Sequence, residues 1–107
     1  MSEIQIKCER DSVCAGDDVD APHSYKFTVP QNADLSEIFA HLERKGYLAL
    51  VAGLNHSWEA VIGKQTVAIF KGNNRSPEAS KYLNQKAKKF IANGYVNVFI
   101  KYNSATT

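Results

Sequence analysis

No stretch of this 107-residue sequence approaches the roughly eighteen consecutive apolar residues of a membrane-crossing helix, which excludes a helical span. The N-terminal MSEIQIKCER lacks the basic stretch and apolar core of a secretory signal, and its acidic residues do not suit a transit peptide. A cytoplasmic protein is therefore expected. Cysteine is scarce: Cys8 and Cys14 are the two present, and a reducing compartment keeps such a pair as free thiols. A closed zinc site needs four ligands, and a C-x5-C pair brings two. Low-complexity tracts, repeats and linkers are also missing, so the expected organisation is one domain over residues 1–102 with a frayed tail at 103–107.

What is present is a composition of globular type, 44% hydrophobic and 22% charged, with an uneven distribution of charge. Residues 1–60 carry five Lys/Arg against ten Asp/Glu, whereas residues 61–107 carry eight against one. Such a split creates opposite potentials on two faces if the fold separates the halves, and is neutralised locally if the halves interleave in one sheet.

Apolar periodicity outlines the first half of the chain. Ile4, Ile6 and Cys8 alternate with polar neighbours over residues 3–9, and Tyr25, Phe27 and Val29 do so over 24–29, which predicts two strands paired as a hairpin. Asp34 and Glu37 have the spacing of a capping box. Leu35, Ile38, Phe39 and Leu42 form an apolar stripe, so a helix is predicted over 35–45 with Gly46 as its left-handed C-cap. The run YLALVA at 47–52 fits either a strand or an irregular approach to Trp58.

The second half predicts a hairpin of 58–62 with 65–70 around a Gly63-Lys64 turn of type II′. Ser76-Pro77 then reads as an N-cap with proline at the first helical position. A second helix is predicted over 77–92, burying Ala79, Leu83, Ala87, Phe90 and Ile91 and ending at Asn93-Gly94. Tyr95–Tyr102 predicts a last strand. The resulting order, ββαββαβ, implies an α+β two-layer sandwich: a mixed sheet with two helices on one face. That arrangement is similar to a β-grasp fold, and the alternative is a ferredoxin-like βαββαβ unit with an extra N-terminal strand.

The chemistry-bearing stretch is DSVCAGDDVDAPH, residues 11–23, which gathers four aspartates, a cysteine and a histidine between the first two predicted strands. Asp11, Cys14, Asp17, Asp18, Asp20 and His23 are the candidate protein-binding residues of an acidic hairpin tip, which would meet a basic partner by charge complementarity. This implies a non-enzymatic interaction module, with inhibitor- or immunity-like binders as one form of it. Calcium-loop and zinc spacings are absent from the stretch, and no cofactor is expected.

Two other readings compete. Lys71, Arg75, Lys81, Lys88 and Lys89, on the second predicted helix and its preceding turn, would bind nucleic acid through phosphate contacts. A small thiol- or metal-dependent enzyme would instead pair Cys14 with His23 or His56, or ligate a metal through the aspartates. His41, on the polar side of the first helix, reads as solvated.

Overall fold

The computed structural model describes residues 3–11, 24–48, 56–72, 74 and 76–103. Strands β1 (Glu3–Arg10) and β2 (Ser24–Pro30) are followed by helix α1 (Leu35–Arg44) and by strands β3 (Ser57–Ile62) and β4 (Gln65–Lys71). A short 3-10 turn, Ala87–Phe90, then leads into β5 (Ile91–Ala92) and β6 (Tyr95–Asn103). One mixed sheet contains all six strands. Its order is β2-β1-β6-β3-β4, with β5 paired to β6 off this path. The pair β1–β6 is parallel, with Cys8 opposite Val98, and every other pair is antiparallel.

Alternation decides which face is buried. Ile4, Ile6 and Cys8 of β1 point to the same side as Val96, Val98 and Ile100 of β6 and Trp58, Ala60 and Ile62 of β3. There they meet the Leu35, Ile38, Phe39 and Leu42 stripe of α1 in a single core. A register shift between Ala60 and Val61 accompanies the consecutive buried residues Val67 and Ala68 in β4.

Turn chemistry fixes the ends of these elements. At the end of α1, Tyr47 N–H donates to Leu42 O and Gly46 N–H to Glu43 O, a double closure that requires the positive φ of 62° at Gly46. Gly63 takes φ 64° in the two-residue loop that joins β3 to β4.

The expected two-helix α+β sandwich of order ββαββαβ does not hold. Among the described residues there is one α-helix, and the chain is mostly β. Neither the β-grasp-like nor the ferredoxin-like two-helix arrangement describes it. The segment predicted as helix instead passes β4, where Glu78 N–H donates to Ile69 O, and then the start of α1, where Leu83 O and Gln85 O accept from Ser36 N–H and Leu35 N–H at 3.0 Å. Asp34 and Lys86 form an isolated antiparallel bridge, and Ala87 N–H donates to Ala33 O at 2.9 Å. The segment thus satisfies two of the orphan donors of the first helix, and a helix of its own would withdraw the carbonyls that do so. Asn93 and Gly94, with φ of 56° and 85°, connect β5 to β6 as a tight hairpin and do not cap a helix. Of the apolar residues assigned to the second helix, Ala87 is buried, whereas Ala79 and Ile91 are exposed.

Candidate interaction site

The strand registers place Arg10, Ser24, Ser57 and Asn103 at one end of the sheet. Asp11 and Ser24, the described residues on either side of segment 12–23, both stand at this end. Asp11 is fastened here, its N–H donating to Ile100 O at 3.0 Å and its carboxylate Oδ2 accepting from Tyr102 N–H at 2.8 Å. The side chain thereby extends the β1–β6 ladder by one position. Asp11 is half-buried and has a structural role.

Beside Asp11 lies a buried cation. Arg10 follows Ile4, Ile6 and Cys8 in strand parity and is 4% exposed, so its charge sits within the core. Its guanidinium carbon lies 5.8 Å from the Tyr47 ring centroid and 5.9 Å from that of Trp58, and Nη1 donates to Asp11 O at 3.0 Å. Two aromatic faces and a carbonyl supply part of what water would have given the ion; a desolvated cation–π contact is worth about 2 kcal/mol.

The aromatic contacts continue in both directions. Trp58 meets Tyr102 edge-on at 5.1 Å, and Tyr102 lies 5.8 Å from the His56 ring. On the other side Tyr47 is 6.0 Å from Tyr25, whose hydroxyl hydrogen-bonds His41 Nε2 at 3.0 Å. His41 stacks on Phe27, with ring centroids 4.0 Å apart and planes within 2°. An unbroken belt thus runs from Phe27 on the outermost strand to His56 before β3. It links side chains of β2, α1, β1, β3 and β6 across the sheet.

The expectation that His41 is merely solvated is corrected by this stacking. Loss of water against its neighbours, followed by the charges of Arg44 and Lys45, holds its pKa below the usual histidine value. His56 is buried, and neither ring nitrogen has a hydrogen-bond partner among the described residues. Strand parity could have located three of these residues in the sequence. Arg10 is in phase with Cys8, His56 with Trp58, and Tyr102 with Ile100. His41 lies three residues after Ile38, at the border of the apolar stripe, where its position is ambiguous.

Cys8 is a free thiol buried in the sheet, and burial, with Glu9 nearby, pushes its pKa up to about 12. At neutral pH it is protonated and a poor nucleophile. No group of three or more His, Cys, Asp or Glu that could hold a metal ion occurs among the described residues.

Of the residues expected in the acidic tip, Cys14, Asp17, Asp18, Asp20 and His23 lie outside the described residues. The basic set is partly described and does not share a helical face, because the second helix is not formed. Lys71 pairs with Glu78 at 3.5 Å, and the Lys81 ammonium lies 5.3 Å from the Tyr82 ring centroid. Lys88 and Lys89 are exposed on the 3-10 turn, and Arg75 lies outside the described residues. On the sheet face away from α1, Phe99 and Ile69 are exposed, and a depression of about 340 Å³ is lined by Lys7, Glu9, Val61, Asn97 and Phe99.

No helix among the described residues is long and apolar enough to cross a membrane. In comparisons with known proteins, no family model matches the chain and no curated protein matches it.

Proposed function

We propose that this chain is a small non-enzymatic interaction module, working in a reducing cytoplasm, which offers the acidic segment between β1 and β2 to a basic surface on a partner protein. The observation that carries this reading is the double fastening of Asp11 to Ile100 and Tyr102. Asp11 directly precedes, in sequence, the segment that holds Asp17, Asp18 and Asp20, and a binding loop works from a fastened root of this kind. Carboxylates gathered in this way complement a basic cleft, such as the active site of an enzyme that takes anionic substrates. An inhibitor- or immunity-like role belongs to this class.

The test is capture of partners by the tagged chain from lysate of its own host, beside an Asp17→Lys/Asp18→Lys variant. The reading expects a defined protein that the parent retains at low salt, that added salt weakens, and that the variant loses while its unfolding midpoint is unchanged. Equal retention by both chains removes the acidic segment from the interface. Salt-sensitive retention of RNA or DNA, abolished by Lys88→Glu/Lys89→Glu, would favour the nucleic-acid reading instead.

A further inference from the structure

The sheet ends in two edge strands, β2 and β4, and they are not equivalent. Along β4 the following segment is already in place: Glu78 N–H donates to Ile69 O at 2.7 Å, and Gln65 Nε2 donates to the Tyr82 hydroxyl at 2.6 Å. Along β2, Pro30 O accepts from Ala33 N–H, and no other backbone group bonds outside the pairing with β1 among the described residues. The usual guard of an edge strand is a lysine held over it. Here Lys26 reaches inward across the sheet, its ammonium 5.8 Å from the Tyr95 ring centroid.

The β2 edge borders a structured ledge. Tyr25 and Phe27 are half-buried, and His41 covers them from α1. One turn further along, Arg44 and Lys45 are exposed and have no ion-pair partner among the described residues. Their end of α1 leads to Tyr47, which packs on Tyr25, so the two cations belong to the Ser24 end of the strand.

We infer that the β2 edge docks an extended peptide segment of a partner protein as an added strand, with alternate apolar side chains on the Tyr25–Phe27–His41 ledge and acidic residues facing Arg44 and Lys45. The backbone ladder supplies affinity, alternate side chains supply specificity, and the opposed charges set the direction of the peptide. In the antiparallel orientation its acids stand at the C-terminal end.

The experiment is selection of random decapeptides against the full chain, followed by backbone-amide NMR with the selected peptide. The expected consensus alternates apolar residues and ends in Asp or Glu, with shifts concentrated on residues 24–30. N-methylation of alternate peptide amides should abolish binding in one phase and be tolerated in the other, as a one-sided ladder requires. Arg44→Glu/Lys45→Glu should weaken binding roughly tenfold or more, and Lys88→Glu/Lys89→Glu should leave it unchanged. If the reversed pair disturbs the helix, the neutral Arg44→Gln/Lys45→Gln pair should show a smaller loss in the same direction. Failure to enrich any peptide overturns the inference, as do shifts centred elsewhere and indifference to N-methylation. Protection of β2 by a second copy, seen as a dimer in sedimentation, also overturns it.

Discussion

Arg10 shows how a charge enters the core at the residue scale: strand parity carries it inward, and Tyr47, Trp58 and Asp11 O receive it. Arg10→Ala should destabilise the chain by about 2–4 kcal/mol in urea unfolding, through lost packing and cation–π contacts. Arg10→Met, which keeps the volume, should recover about half of the loss, because the apolar stem carries part of the packing. A second prediction concerns base. Cys8 is held up to about 12, from 9.0, mainly by burial, and burial likewise raises Tyr47. Above pH 9 the unfolded chain therefore releases protons that the folded chain keeps. The contribution of these two groups should be constant below that pH and then fall by up to about 1.4 kcal/mol per pH unit for each group as pH rises past its unfolded pKa. In a Cys14→Ser background, Cys8 should react with iodoacetamide at pH 8 only after unfolding; rapid labelling of the native chain would contradict its burial. The alternation of β1 is legible in the sequence, whereas its continuation to Arg10 is hidden, because a charged residue ordinarily marks the solvent face.

The elements differ in how far their local signals agree with what they finally touch. For α1 they agree: the Leu35–Leu42 stripe is buried, and Gly46 closes the end. One detail departs. Asp34 stands at the N-cap, yet its side chain makes no cap hydrogen bond; it accepts from the Ser36 hydroxyl, while Leu83 O and Gln85 O serve the helix. Asp34→Ala should thus cost less than the ~1 kcal/mol of an ordinary N-cap loss. A loss of 1 kcal/mol or more would show that the side chain matters to the cap. The second predicted helix is absent from the structure although Ser76-Pro77 and the spacing of Leu83, Ala87 and Phe90 imitate a helical start and stripe. Pairing with residues 33–36, distant in sequence, overrides that local preference. Asn93-Gly94 is both a helix-ending pair and the strongest two-residue hairpin signal, and only the partner strand decides between them. Gly94→Ala should cost about 1 kcal/mol by backbone strain alone, since φ is 85° and an added Cβ meets nothing within 4 Å. A neutral outcome would argue against that turn.

For the whole molecule, the order β2-β1-β6-β3-β4 places β6, from the basic half, between β1 and β3, from the acidic half. Strands of the two halves are thereby interleaved within the sheet, with Glu59 opposite Lys101. Composition could reveal the split and could not foresee this outcome, which depends on a parallel pairing of the first and last strands. That pairing also brings Asp11 to Tyr102, across 91 residues of sequence, at the end of the sheet on which the proposed function depends. The most direct measurement is a hydrogen-exchange footprint of the chain bound to the protein it captures. The account predicts slowed exchange at Asp11, Ser24 and Tyr102 and over 12–23, with residues 81–89 unaffected. Protection confined to 81–89, with the Asp11 end exchanging as in the free chain, would contradict it.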